Sequence, residues 1–427
     1  MVKPSITVQK LLQKIFSKKE EVLTHLTSFA KWLLLSLLVG AAAGGAGTLF
    51  YFSIRAVTSL RLQYTWLVFL LPLGGIAIVF LYFLCRVEKP QGTDLIIESI
   101  RSPKPVPLIM APLIFVSTVL THLFGGSAGR EGAALQLGGS LGYHIGKLFR
   151  LDEKDLHVIT MCGMAACFSA LFGTPATSTI FVLEVVTVGV MYYAALVPCA
   201  VAALTGASVA RYFHAAPTFF PIASVPSFGA VPAARVALLA VLCALLCIGF
   251  CYGMRGTGKL LKRWIPNAYL RAAAGGAAVL ALSFLFGRDY LGMGGDVIAA
   301  SLNGNARPEA FALKLLFTAI TLGAGFRGGE IVPAFFVGAT FGCCAGALLG
   351  LSPAFAASVG FMAVFCGVTN CPITALILSL EVFGGKGFDY YLLAAGISYA
   401  LSGYSGIYRK QRILYAKHKL LFLGKAM

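Results

Sequence analysis

Charge is scarce in this 427-residue chain: Asp, Glu, Lys and Arg make up 12% of it, against about 25% in a soluble domain. So few charges cannot cover the exterior of a soluble protein this long, and a soluble enzyme is excluded. Acidic side chains are scarcest, 16 against 34 basic ones. No CxxC pair and no Cys/His cluster occurs, and the six histidines are scattered, so no metal site, redox motif or cofactor is expected. Of the eleven cysteines, Cys243, Cys247 and Cys251 recur every fourth residue in an apolar run and Cys343–Cys344 are adjacent. They read as small packing residues. No nucleophile–base constellation stands out, so enzymatic activity is not expected. The nearest thing is His122 in the run 122–125, which reads as an interfacial residue at the end of a span.

Long apolar runs are abundant instead. Candidate spans are 31–56, 63–85, 106–125, 131–149, 157–172, 175–192, 194–210, 235–253, 268–286, 311–325, 331–350, 353–369, 371–384 and 388–403. Several fall short of the ~20 residues that a perpendicular membrane helix needs. Forty-eight glycines, many at segment ends, point to helices that stop part-way through the membrane. Broken helices converging near the midplane are a transporter signature. The expected fold is therefore an all-α polytopic membrane protein with the lipid bilayer as its partner. Basic residues concentrated in tails and short loops favour membrane orientation over nucleic-acid binding, and both termini are expected in the cytoplasm, with an even number of crossings. Residues 3–25 are polar and basic with Ile6, Leu11, Leu12, Ile15 and Phe16 at helical spacing, which excludes a signal peptide and suggests a surface helix.

The chain repeats itself. Residues 163–185 slide onto 360–382 without a gap, with nine identities in 23 positions where roughly two are expected by chance. They include Pro175/Pro372, Thr177/Thr374 and Glu184/Glu381. The same offset of 197 lays Gly126, Arg130 and Gly132 on Gly323, Arg327 and Gly329. The expected organisation is an N-terminal helix at 1–27, membrane repeats at 28–215 and 235–408, a Pro-rich linker at 216–234 and a basic tail at 409–427. Segment counting leaves parallel and inverted halves both open.

A carboxylate inside a membrane is expensive unless paired or functional. Four stand out: Glu131, Glu184, Glu330 and Glu381. Glu131 lies in GGSAGREGAALQLGGSLG, where glycines precede a helix start whose free N–H groups and dipole favour an anion. A carboxylate there can occupy the anion site when ionised and vacate it when protonated. Glu330, in GFRGGEIVP, has the same turn-then-helix layout and reads either as a second proton carrier or as a helix cap. Glu184 and Glu381, nine residues after their prolines, read as buried structural carboxylates hydrogen-bonded between helices.

These motifs resemble the CLC family of chloride channels and anion/proton exchangers over nearly all of residues 30–410. GREG at 129–132 is similar to that family's GREGP, GGEIVP at 328–333 to its second anion-binding loop, GTDLII at 92–97 to GSGIPE, and SGIY places Tyr408 at the family's pore tyrosine. The resemblance implies a homodimer with a separate anion path in each subunit, built from two inverted-topology halves. It implies that Glu131 is the external gating glutamate, and that Thr93 and Tyr408 flank the inner path. Backbone amides near Arg130, Glu131, Gly132, Glu330, Ile331 and Val332 would hold the ion, with the Arg130 side chain supporting the loop.

The departures steer the choice of ion. Val185 stands where conventional exchangers have a second acid, and the acid in GGEIVP is similar to the fluoride/proton exchanger branch. Thr93 fits neither branch, and Val332 lacks a hydroxyl that some branch members offer. The expected function is exchange of a halide, with fluoride leading, for protons. Chloride/proton exchange and a passive chloride channel of the same fold are the alternatives. A free Thr93 hydroxyl donating to the anion is expected to modulate selectivity. A bacterial-type inner membrane is the expected location.

Overall fold

Apolar segments in a bilayer must satisfy their own backbone N–H and C=O groups, and helices do so within one segment. The computed structural model describes residues 6–87, 92–102, 104–222, 224–417, 419 and 421–426. Among these, sixteen α-helices form two sets of eight. The first set is α1 Ile6–Gln63, α2 Leu71–Leu84, α3 Thr93–Ser99, α4 Met110–Leu123, α5 Glu131–Leu148, α6 Glu153–Phe172, α7 Pro175–Val185 and α8 Leu196–Tyr212. The second is α9 Ala230–Trp264, α10 Ala268–Phe286, α11 Gly295–Leu302, α12 Ala310–Ala324, α13 Ile331–Leu348, α14 Pro353–Thr369, α15 Pro372–Phe383 and α16 Phe388–Leu401. Seven helical stretches among the described residues are long and apolar enough to cross a membrane, whereas α4, α7, α12, α14 and α15 are apolar but shorter. The fold is thus a polytopic bundle of spanning and broken helices in two homologous, inverted halves.

Corresponding helices match in order, and the register between them is informative. Glu131 opens α5 and Ile331 opens α13, both helices being 18 residues long. The offset at this point is 200, not the 197 expected from the glycines and arginines. It drops to 197 within the next helix, before Gly163 and Gly360, because α14 has 17 residues and α6 has 20. One lost helical turn accounts for the change. Arg130 therefore corresponds to Glu330, and Glu131 to Ile331.

Small residues set the packing. Gly138 and Gly142 of α5 lie against Gly163 of α6, and Gly338 and Gly342 of α13 lie against Gly360 of α14 in the same way. A Cβ added at Gly142 would sit 3.2 Å from Gly163 Cα, and one at Gly342 3.0 Å from Gly360 Cα. Backbones this close are the usual consequence of small-xxx-small pairs in membrane helices. Cys243, Cys247 and Cys251 are buried along α9 as packing residues.

The structure departs from three expected boundaries. Helix α1 runs unbroken through residue 27, since no glycine or proline occurs from Ile6 to Val39 to stop it. The side chains of Ile6, Leu11, Leu12, Ile15 and Phe16 lie outside the described residues. Helix α9 starts inside the expected linker, with Pro232 in its first turn, where a missing N–H leaves no bond unmade. The remaining linker stitches the halves together: Thr218 N–H donates to Phe172 O and Phe220 N–H to Val382 O, each at 2.8 Å. The basic C-terminal stretch is not a loose tail. It forms β2 (Arg412–Tyr415) and β3 (Phe422–Ala426), an antiparallel pair, with β2 lying parallel to β1 (Thr187–Val188).

Candidate functional site

The two Gly-rich turns meet. Gly129 N–H donates to Gly329 O and Gly329 N–H to Gly129 O, both at 2.8 Å, so the turns exchange an antiparallel pair of bonds around a local two-fold. This brings the N-termini of α5 and α13 together. Glu131, fully buried, folds its carboxylate back across the junction. Its Oε2 accepts from Arg130 N–H at 2.8 Å and its Oε1 from Ile331 N–H at 2.5 Å. The amides of Glu131 itself and Val332 also face it. The carboxylate therefore sits where two helix dipoles present free N–H groups, the setting that proteins use for anions. A Cβ at Gly129 would lie 2.7 Å from the Glu131 carboxyl carbon, so glycine is what admits the side chain.

Next to this junction lies a cavity of about 450 Å³ lined by Thr93, Asp94, Gly132, Gln136, Glu330 and Tyr408, among others. It brings together Thr93, Glu330 and Tyr408, which are far apart in the chain. Glu330 is the N-cap residue of α13 but makes no capping bond with its side chain. A register one residue earlier than Glu131 turns it to the cavity instead. Tyr408 is buried, on irregular backbone rather than at a helix start. Basic side chains of Lys262, Arg327, Arg409 and Lys410 complete the lining.

Thr93 differs from its expected role. Its hydroxyl donates to Gly132 O at 3.1 Å and accepts from Gln136 Nε2 at 3.4 Å. A hydroxyl has one proton, so Thr93 has none left for an anion. Gln136 also donates to Gly132 O at 3.2 Å, and no partner for its Oε1 is found among the described residues. Sequence reasoning missed Gln136. Its position one turn after Gly132, on the same face of α5, was the available signal.

Arg130 points away from the junction: Nη2 donates to Leu171 O at 3.2 Å, and the guanidinium lies 5.0 Å from the Tyr51 ring centre. Gly132 contributes its carbonyl to Thr93 and Gln136, while Ile331 is buried and contributes its amide to Glu131. Val332 is also buried. His122 is not interfacial. It is fully buried, its Nδ1 2.9 Å from Thr118 O, because the C-terminal turns of α4, with Ser117, Thr118 and Thr121, pack inside the bundle instead of ending at its rim.

The second pair of glutamates caps across the halves. Glu184 accepts from Ile373 N–H at 3.1 Å, Thr374 N–H at 2.8 Å and Thr374 Oγ1 at 2.6 Å, at the start of α15. Glu381 accepts from Ala176 N–H at 2.9 Å and Thr177 N–H at 2.8 Å, at the start of α7. Both helices begin with proline and lack a capping side chain of their own. Each carboxylate supplies the acceptor that the other half needs.

Comparison with known proteins follows the same lines. The sequence model of the family described as Voltage gated chloride channel matches residues 80–403. A relative named Chloride/fluoride channel protein, from Pseudomonas syringae pv. tomato, is 37% identical over 418 residues, covering 94% of this chain and 90% of that protein. The H(+)/Cl(-) exchange transporter ClcA of Vibrio vulnificus is 24% identical over 436 residues, covering 92% and 90%. A crystal structure of a CLC-type fluoride/proton antiporter superposes with a TM-score of 0.87 at 30% identity, covering 90% of this chain and 98% of the other. With two interlocked halves, paired Gly-rich turns and a family match over most of its length, this chain belongs to the CLC family of voltage gated chloride channels and anion/proton exchangers.

Proposed function

We propose that this protein exchanges fluoride for protons across a membrane, with Glu131 as the gate and Glu330 as a second proton carrier. One observation carries the reading: the Glu131 carboxylate fills a cradle of amides from two helix N-termini, Arg130 and Ile331 among them. An ionised carboxylate and a free anion compete for that cradle, since two like charges there repel. Protonation neutralises Glu131 and releases it, the halide enters from the cavity beside Glu330, and loss of the proton on the far side restores the block. Amide donors suit an ion that must leave again. With Val185 unable to titrate, Glu330 is the acid best placed to pass protons from the cavity side. Fluoride leads because an acid stands in the second loop and because the relative and the solved structure at 30% identity or more both carry fluoride in their descriptions.

Lys262, Arg327, Arg409 and Lys410 line the mouth beside Tyr408. The positive-inside rule then turns that mouth and both termini to the cytoplasm of a bacterial-type inner membrane, with Glu131 facing out. The working unit is a homodimer in the lipid bilayer, as the family resemblance implies. The test is proton movement in liposomes under opposed fluoride and chloride gradients. A fluoride gradient drives protons uphill in this account. Halide flux without protons would make the protein a channel, and chloride driving protons as well as fluoride would make it a chloride/proton exchanger.

A further inference from the structure

The segment that carries Tyr408 has no helix or strand of its own from Ser405 to Gln411, yet it is held from several directions. Ile407 N–H donates to Val368 O at 2.9 Å, and Arg255 reaches Gly406 O. On the α3 side, Lys410 N–H donates to Asp94 Oδ1 at 3.1 Å, Lys410 Nζ pairs with Glu98 at 3.2 Å, and Arg101 reaches Lys410 O. On the α14 side, fully buried Gln411 donates through Nε2 to Thr369 O at 2.8 Å. Asn370, left-handed at φ 58° as the residue that ends α14, donates through Nδ2 to Ser405 O and Gln411 Oε1, both at 3.3 Å.

The C-terminal hairpin closes this network. Strand β2 follows Gln411 directly and is pinned to β1 through the Thr187–Arg412 and Val188–Ile413 pairs. At the turn after it, Lys417 sends its ammonium back under the Tyr408 segment. Nζ donates to Asn370 Oδ1 at 2.5 Å, Tyr399 O at 2.9 Å and Ser402 Oγ at 3.1 Å, and lies 4.4 Å from the Tyr399 ring centre. All three protons of the ammonium are used. Burial pushes this lysine down to about 8, so at neutral pH it is charged and able to make all three bonds. One side of the Asn370 amide takes Lys417; the other holds Ser405 and Gln411, which bracket Tyr408.

We propose that Lys417 is a positioning residue for the anion path: acting through Asn370 and Gln411, it straps the Tyr408 segment in place and so sets the shape of the inner mouth. This rests on the reading of Tyr408 as part of that path. It assigns a transport role to Lys417 and the strand before it, in a stretch that composition alone marks only as a basic tail.

The test uses the full chain, purified and reconstituted in liposomes, with halide efflux and amide deuterium exchange as two separate readouts. Lys417→Met is expected to change halide efflux by about tenfold, the scale of losing charge-assisted hydrogen bonds. It should also speed exchange at the Ile407 and Gln411 amides. Lys417→Arg, which keeps the charge, is expected to stay within roughly twofold of the parent, and in a Tyr408→Ala background Lys417→Met should add nothing, because the two act as one unit. Lys417→Gln keeps donors without the charge and is carried alongside in case the methionine variant does not fold. Parental efflux and exchange in both uncharged variants would overturn the proposal, and so would a further loss on top of Tyr408→Ala. If the unmodified protein moves no halide, the transport reading fails by itself, while faster exchange at Ile407 and Gln411 still reports the strap.

Discussion

Two pairs of glutamates lie in corresponding regions of the two halves, and they behave differently. Glu184 and Glu381 obey the two-fold: each leaves its own helix and caps the proline-started helix of the other half. Glu131 and Glu330 break it. Glu131 is the first residue of its helix and bridges both N-termini, whereas Glu330 is one position earlier and faces the cavity. A symmetric pair is what structure needs, because the same unsatisfied N–H groups arise in both halves. An asymmetric pair gives a path two different ends. The comparison teaches that repetition of a carboxylate argues for a cap, and displacement of one by a single residue argues for a job in transport.

The largest effect should come from the asymmetric pair. Glu131→Gln is expected to abolish proton transport, since an amide cannot carry the proton, while halide flux persists; a pH dye inside liposomes reads this. Glu330→Gln should slow proton transport by roughly 100-fold, the scale of losing one acid–base group, with the protein still monodisperse on size exclusion. Parental proton rates in Glu330→Gln would remove it from the relay. The symmetric pair should fail in the opposite way, through stability. Glu184→Ala leaves three donors without their acceptor, two of them on buried Thr374, and should cost about 2 kcal/mol, and Glu381→Ala, with two donors on a more exposed turn, about 1 kcal/mol. Thermal unfolding in detergent measures both, and proton-to-halide coupling should be unchanged in each.

The smallest effects belong to Thr93. Its hydroxyl is committed to Gly132 O, and serine can make the same bond, so Thr93→Ser should leave the fluoride-to-chloride rate ratio within roughly twofold. Thr93→Met removes the hydroxyl's bond to Gly132 O and its acceptance from Gln136 Nε2, leaving Gly132 O to the Gln136 amide alone among side chains. It should shift that ratio by about threefold to tenfold, the worth of one hydrogen bond. Parallel efflux of the two ions decides it; a larger shift in serine than in methionine would contradict the bond assignment.

Where the sequence carried the answer locally, it was legible. The Pro…Glu block announced both the duplication and a pair of carboxylates hydrogen-bonded between helices, and glycines before Glu131 announced an anion-friendly helix start. Properties that depend on what lies across space were not. The offset through GREG could not be fixed from residue matches, because a one-turn difference between α6 and α14 lies beyond the motif. Thr93 looked like a free donor because its acceptor, Gly132 O, is 39 residues away. The lysines and arginines after Tyr408 read only as a basic tail, since nothing local says that Lys417 will fold back onto Asn370. His122 looked interfacial for the same reason: burial of α4 is a property of the bundle.

The most direct test of the central claim is proton uptake into liposomes driven by an outward fluoride gradient, measured side by side for the unmodified protein and Glu131→Gln. The account predicts uphill proton uptake by the unmodified protein, none by Glu131→Gln, and fluoride efflux from both. Proton uptake that survives in Glu131→Gln would contradict it, because the carboxylate between the two helix N-termini would then not be the proton carrier.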